Sequence, residues 1–367
     1  MAVFDAIDFS QHENVVFGHD KKTGLKAIIA VHNTTLGPSL GGCRMFPYSS
    51  DEDALKDVLR LSRGMTYKSA LAELPLGGGK SVIIGDPRTD KSTALFQSMG
   101  AFIDRLGGNY IAAQDSGISV EDLQIMAAQT EHVAGVRNSV DEHNRLRSGD
   151  PSPATAYGVF IGIKAAVEQK LGTTDLNGVK IAIQGVGNVG FGLAKHLHGE
   201  GAKLYVSDIN PENVKRAVDE CGATACENDT IHTLDVDVYS PCALGGAIND
   251  NTIDKIAAPI IAGCANNQLE REEHGSILQE KGILYAPDFV ISAGGIIHVQ
   301  FMLSGRTWDA ATKHVERIGG TLAEIFQRAE QGKGTTSEIA NILAEERIEQ
   351  ANTDVLQEGS DRSLQSK

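Results

Sequence analysis

Val179-Lys180-Ile181-Ala182-Ile183-Gln184-Gly185-Val186-Gly187-Asn188-Val189-Gly190 is the stretch whose reading decides the fold. An apolar run suited to a buried strand ends in glycines spaced G-x-G-x-x-G, and Leu193 to His198 then continues at helical spacing. Glycines in that order permit a tight turn and close approach of a pyrophosphate, and the helix N-terminus offers N–H groups without partners to the phosphates. The motif alone is weak, but strand before and helix after give it meaning. Asp208 ends the next predicted strand, Lys203 to Ser207, where a carboxylate accepts hydrogen bonds from a ribose and repels a 2′-phosphate. Gly185, Gly187, Asn188, Val189, Gly190 and Asp208 are therefore candidate cofactor residues, with NAD favoured over NADP. The alternative is a structural glycine turn with an incidental aspartate.

Downstream, Val236 to Tyr239, Ile260-Ile261 and Val290-Ile291 read as further strands alternating with helices, which predicts a parallel, doubly wound sheet. Upstream, a polar, glycine-broken segment at 136–150 ends in Pro151-Ser152-Pro153 and marks a domain boundary. Before it, Lys26 to Val31 reads as a strand. Asp51 to Arg63 reads as a helix entered through a Ser49/Glu52 capping box. Pro75 to Lys80 reads as a loop and Val82 to Ile84 as a short strand. Beyond residue 305 the pattern is helical, with Ser337 a cap and the polar tail from Glu358 frayed.

A chain of 367 residues exceeds one ordinary core, so two domains are expected. A net charge of −15 repels phosphate, which argues against nucleic-acid and anionic-membrane partners. Five cysteines without a C-x-x-C pair predict reduced thiols and no metal site. Met1 to Asp8 lacks the basic and apolar runs of a signal peptide, and no apolar stretch is long enough to span a bilayer. A cytoplasmic location is the expectation.

Lys68 and Lys80 flank an apolar segment and the glycines Gly77-Gly78-Gly79. Gly79-Lys80-Ser81 is not a P-loop, because that motif needs glycine where Leu74 stands and a helix afterwards. One lysine is suited to a substrate carboxylate. The other is suited to act as a base, since burial and a neighbouring positive charge destabilise an ammonium. Two solvated surface lysines beside a flexible loop are the alternative. Asp115 follows the apolar Tyr110-Ile111, which places it either at a strand end, where ligand chemistry collects, or at a helix cap before Val120.

Thr35 to Pro38, Gly41-Gly42-Cys43-Arg44-Met45, Met65-Thr66-Tyr67-Lys68, Pro75 to Lys80, Asp115, Gly149 to Gly158, the glycine fingerprint, Pro241 to Gly245, Ala262 to Asn267 and Tyr285 to Asp288 form an ordered set over nearly the whole chain. In these strings the sequence resembles the glutamate/leucine/phenylalanine/valine dehydrogenase family, most closely its leucine dehydrogenase branch. The resemblance implies an α/β protein of two domains: an N-terminal α/β substrate domain and a Rossmann-type doubly wound dinucleotide-binding domain. Residues 1–135 would bind substrate and carry catalysis, 150–330 would bind NAD, and helices at about 331–360 would return to pack on the first part. It implies Lys68 as the holder of the substrate carboxylate, Lys80 as the catalytic lysine that activates water and Asp115 as its proton shuttle. Gly41, Gly42, Gly77 and Met65 would shape the substrate pocket, while Thr155, Cys242, Ala243 and Asn266 would lie against the cofactor. The implied activity is NAD-dependent, reversible oxidative deamination of an amino acid to a 2-oxo acid and ammonia by a homo-oligomer.

Leu40 stands where glutamate-specific members carry lysine, and a buried carboxylate without a cation is costly. With Ala113 and Val290 it suggests an apolar pocket and a small apolar substrate: leucine first, then isoleucine and valine. Ala134 replaces a threonine common in leucine-type members, which enlarges the pocket toward phenylalanine or tryptophan. Ser292 replaces the family's asparagine, and the stretch Arg137 to Arg147 is longer and more charged than usual, near the expected hinge. A non-catalytic NAD-binding regulatory protein is the rival reading, and it leaves Lys68, Lys80 and Asp115 together unexplained.

Overall fold

The computed structural model describes residues 3–6, 8–136, 139–140, 146–147 and 149–365. The chain divides into two compact units, Met1–Gly149 with Ala344–Lys367, and Asp150–Leu343. Among the described residues no helix is long and apolar enough to cross a membrane.

The first unit is built on strands β1 (Asn14–Asp20), β2 (Leu25–Asn33) and β3 (Ser39–Phe46), helix α1 (Asp51–Leu71), strand β4 (Gly77–Ile84), helix α2 (Thr93–Asp104), strand β5 (Tyr110–Gln114) and helix α3 (Val120–Ala127). Its sheet runs β1-β2-β4-β3-β5, antiparallel from β1 to β4 and parallel across β4, β3 and β5. Ala54, Leu55, Val58 and Leu59 recur at helical spacing and pack with Ile28, Ala30 and Val82 on one face of the sheet. Phe96, Met99, Phe102 and Ile103 of α2 pack with Ile29, Val31 and Met45 on the other. Each valine, leucine, isoleucine, phenylalanine or methionine among them contributes roughly 1.5–3 kcal/mol by leaving water.

Three local readings are corrected here. Ser50, not Ser49, caps α1, because Ser50 is the last extended residue and its side chain accepts from the Asp53 N–H. The helix runs on past Arg63 through Met65 and Lys68, since no proline or cap stops it. Gly77 to Lys80 is not a loop but the first half of β4, an interior strand. Its glycines give helix α1 room: a Cβ on Gly78 would lie 2.0 Å from the Thr66 nitrogen. Of the charged stretch 137–147, only the paired strands β6 (Ser139–Val140) and β7 (Leu146–Arg147) are described; the rest lies outside the described residues.

The second unit contains α4 (Ser152–Leu171), β8 (Lys180–Gln184), α5 (Asn188–Gly199), β9 (Lys203–Ser207), α6 (Pro211–Cys221), β10 (Thr224–Ala225), β11 (Val238–Pro241), β12 (Ile260–Ile261), α7 (Glu273–Glu280) and β13 (Leu284–Tyr285). Helices α8 (Asp288–Ile291), α9 (Gly294–Leu303), α10 (Trp308–Val315), α11 (Arg317–Glu330) and α12 (Thr336–Gln365) follow. The sheet order is β10-β9-β8-β11-β12-β13, parallel throughout. Strand order reverses between β8 and β11, the switch point at which open α/β sheets bind dinucleotides.

Two assignments change. Val290-Ile291 is helical rather than a strand: Ile291 N–H bonds back to Pro287. A short buried apolar run reads alike for either element, and the proline and aspartate that precede it start a helix. Thr335, not Ser337, caps α12, exchanging bonds with Glu338, and that helix continues past Glu358 to Gln365. From residue 344 on, α12 belongs to the first unit, where Arg347 donates to the Leu71 carbonyl at 2.8 Å and Tyr67 to Glu345 at 2.6 Å.

Candidate active site

The three parallel strands of the first unit carry most of the predicted substrate-side residues. Lys80 lies on β4 and is 6% exposed, while Asp115 follows the last residue of β5. Strand β3 separates them, and in register Gly42 faces Ala113. A side chain on Gly42 would block the crossing, since its Cβ would sit 2.6 Å from the Asp115 Cβ. With glycine there, Lys80 Nζ meets Asp115 Oδ2 at 2.5 Å. Gly41 is equally constrained: an added Cβ would be 1.7 Å from the Gly79 carbonyl oxygen and 3.4 Å from the Met65 side chain. Gly77 has no more room, its Cβ position being 2.0 Å from the Asn33 carbonyl oxygen.

Leu40 is buried opposite Gly78 and Ile111, and Ala134 is buried with its N–H on the Ala112 carbonyl at 2.7 Å. Lys68 is half-buried in the last turn of α1. Val290 is buried in α8 of the second unit.

Asp115 has a second cation. Arg44 Nε donates to the same Oδ2 at 3.2 Å, while its Nη1 donates to Asp57 at 2.9 Å. Tyr48 donates to Asp57 at 2.5 Å. Lys80, Asp115, Arg44, Asp57 and Tyr48 thus form one continuous polar chain. Burial pushes the Asp115 carboxyl up, but Lys80 and Arg44 outweigh it and hold the group below its ordinary value, so it is ionised at neutral pH. Sequence reasoning had Arg44 only as part of a matched string and missed Asp57 and Tyr48. No spacing rule joins a strand residue to a helix residue 13 positions on, so only the Gly41–Met45 string offered a signal.

Behind this array, His32 is buried with Nδ1 2.8 Å from the Thr66 hydroxyl. Burial, with His12 and Arg63 nearby, lowers it to about 4, so it is neutral at pH 7.

In the second unit the fingerprint lies at the switch point. Gly185 has φ 96°, and an added Cβ would be 2.8 Å from the Ala243 nitrogen. Gly190 lets α5 close on β8, its Cβ position being 2.0 Å from the Gly185 carbonyl oxygen. A Cβ at Gly187 would meet nothing within 4 Å, and α5, which starts at Asn188 and Val189, has no side-chain cap. That open, uncapped N-terminus suits a pyrophosphate. Asp208 follows β9 and accepts from the Val186 and Asn210 N–H groups, each at 2.8 Å. Cys242 and Ala243 follow β11, and the Asn266 carbonyl oxygen lies 2.7 Å from the Cβ position of Gly245. Thr155 packs on Gly295, whose Cβ position is 2.7 Å from the threonine hydroxyl. Ser292 is buried at the end of α8. Asp250, Glu270 and His274 bring ligand atoms within 4.8 Å of one another, but Arg271 takes the place of a cation, 2.9 and 2.6 Å from the Asp250 carboxylate.

Two family models match the chain in succession. The model described as "Glu/Leu/Phe/Val dehydrogenase, dimerisation domain" matches residues 12–132. The glutamate/leucine/phenylalanine/valine dehydrogenase model matches 148–211 and 209–355. Leucine dehydrogenase of Bacillus cereus is 51% identical over 348 residues, covering 95% of this chain and 94% of its own. L-tryptophan dehydrogenase of Nostoc punctiforme is 48% identical, covering 95% of this chain and 96% of its own. The crystal structure of L-tryptophan dehydrogenase from Nostoc punctiforme, 47% identical, superposes with a TM-score of 0.80 over 93% of this chain and 97% of that one. Phenylalanine dehydrogenase of Bacillus thermotolerans is 45% identical, covering 92% and 89%.

Proposed function

The chain belongs to the glutamate/leucine/phenylalanine/valine dehydrogenase family and is an amino-acid dehydrogenase, an oxidoreductase; from that premise we propose that it oxidatively deaminates a small apolar L-amino acid, leucine first and isoleucine and valine beside it, with NAD. The observation that carries the reading is the Lys80–Asp115 pair, 2.5 Å apart and largely shut from water, on the strand array that also bears Leu40 and Ala113.

The first unit is the substrate-binding and catalytic domain and the second the NAD domain. Gly185, Gly187, Gly190 and the α5 N-terminus hold the pyrophosphate. Asp208 takes the adenosine ribose and disfavours a 2′-phosphate. Val189, Cys242, Ala243, Thr155 and Asn266 line the rest. The bound dinucleotide supplies the acceptor for the hydride that leaves the substrate Cα.

The remaining chemistry belongs to the chain. Lys68 holds the substrate carboxylate. The imino acid left after hydride loss adds water; Lys80, once it has passed its own proton to the ionised Asp115, takes the water proton, and Asp115 relays the first one outward. Ammonia and a 2-oxo acid leave. Leu40 and Ala113 present no cation to a side-chain carboxylate, which disfavours glutamate. Ala134 is the specific feature favouring a second reading, an aromatic substrate, because a small residue there leaves space. The dimerisation domain named in the family model supports a homo-oligomer. The composition supports a cytoplasmic location.

Initial rates of NADH formation with leucine, isoleucine, valine, phenylalanine, tryptophan and glutamate test the proposal. Fastest turnover of the branched aliphatics is expected. A preference for tryptophan or phenylalanine moves the substrate to the aromatic reading, and a preference for glutamate defeats the role given to Leu40.

A further inference from the structure

Two cysteines follow the neighbouring strands β11 and β12, next to the switch point. Strands β11 and β12 pair with residues 22 apart in register, Val238 with Ile260 and Tyr239 with Ile261. Carried forward, that register sets Cys242 beside Cys264. The Cys264 thiol donates to the Cys242 carbonyl oxygen at 3.9 Å. Ser240 Oγ is 3.4 Å from the same sulfur. Both cysteines are half-buried, unlike Cys43 and Cys221, which are buried. Neighbouring strands are about 4.8 Å apart, within the Cα separations that a disulfide spans.

The other three thiols are unsuited to this chemistry. Burial pushes buried Cys43 up to about 12 and also raises Cys221 and Cys226. Cys242 is pulled down instead, by the Cys264 thiol first and then by Ser240 and the Cys264 N–H, against the opposing effect of burial. The thiolate is the reactive form, so oxidation selects this sulfur.

We propose that Cys242 and Cys264 form a reversible disulfide under peroxide and that the cross-link weakens dinucleotide binding. The Cys242 thiolate attacks one peroxide oxygen, giving a sulfenic acid and releasing water after proton transfer. The Cys264 thiol then attacks the sulfenic sulfur, a second water leaves, and the S–S bond remains; two thiols are oxidised and one peroxide is reduced to two waters. The bond fixes the sulfurs about 2 Å apart. The backbone there has no slack. A Cβ at Gly263 would be 2.2 Å from the Pro241 carbonyl oxygen, the Cys242 Cβ lies 3.4 Å from the Gly190 Cβ position, and Ala243 abuts Gly185. Closing the S–S bond therefore shifts the loop that packs on the fingerprint glycines. The gating half of the proposal rests on the NAD reading above; the cross-link does not.

The test treats the full-length protein with hydrogen peroxide, maps cross-linked peptides by mass spectrometry and titrates NADH binding by fluorescence, before and after dithiothreitol. A Cys242–Cys264 cross-link with at least tenfold weaker NADH binding, restored by dithiothreitol and absent in Cys264→Ser, is expected. Absence of that cross-link overturns the proposal, and a cross-link with unchanged NADH affinity overturns its gating half. Failure of the reduced protein to bind NADH counts against the cofactor reading, while the peptide map still decides the cross-link.

Discussion

Replacing Gly42 with alanine separates the Lys80–Asp115 contact from the fold that carries it. The added methyl would stand 2.6 Å from the Asp115 Cβ and 3.2 Å from its Cγ. Ordinary carbon contacts are about 3.5–4.0 Å, so Asp115 must retreat by roughly 1 Å. The 2.5 Å contact with Lys80 then opens by a similar amount, to direct hydrogen-bond failure or a bridging water. A misplacement of about 1 Å costs on the order of 10²-fold in rate, equivalent to about 2.7 kcal/mol of barrier. Overpacking of this kind costs about 1–3 kcal/mol of stability, a fall in Tm of roughly 2–12 °C. The protein therefore remains folded at assay temperature while kcat collapses. Gly64→Ala is the control: nothing lies within 4 Å of its Cβ position, and alanine inside α1 is favourable by roughly 0.5–1 kcal/mol. The assay is kcat for NADH formation at saturating leucine and NAD, alongside a thermal melt. A folded Gly42→Ala protein with kcat within twofold of the parent would refute the claim that this contact matters.

Three further outcomes follow from the same geometry. Arg44→Met removes one of the two cations on Asp115; a hydrogen bond to a charged group is worth about 1.5–3 kcal/mol, so the Asp115 carboxyl rises and the acid limb of kcat moves up by roughly 1–2 pH. An unmoved pH profile with parental kcat would show that Arg44 only braces the fold. His32 is held to about 4 against an ordinary 6.5, so the unfolded chain takes up a proton that the folded one refuses; stability present above pH 6.5 is lost as pH falls toward 4, by up to about 3 kcal/mol. Urea denaturation at pH 7 and pH 4.5 reads this, and His32→Gln should flatten the difference. Asp208→Ser removes the charge set against a 2′-phosphate, so the NADP-to-NAD ratio of kcat/KM should rise at least tenfold; an unchanged ratio would remove Asp208 from cofactor choice.

The sequence disclosed the parallel sheet and the fingerprint because both are local patterns: an apolar strand, glycines at fixed spacing and a helix within 20 residues. It misread Gly77 to Lys80 as a loop because glycine normally argues against a strand. Here the glycines exist for what lies above them, the α1 backbone at Thr66, and that is a tertiary fact. Val290-Ile291 failed for a different reason, since two buried apolar residues carry no period. In the site, Lys80 and Asp115 were legible as individual candidates, 35 residues apart, but the contact between them depends on the side chain that Gly42 lacks. Arg44 was hidden for the same reason, because its two carboxylates come from a helix and from a different strand end.

Lys80→Ala tests the central claim most directly. It should abolish leucine-dependent NADH formation, by 10³-fold or more in kcat, a loss of at least about 4 kcal/mol in transition-state stabilisation. NADH affinity should stay within twofold of the parent, since Lys80 lies in the first unit and the fingerprint in the second. Near-parental deamination by that variant would contradict the account and return Lys80 to the role of a structural ion-pair partner.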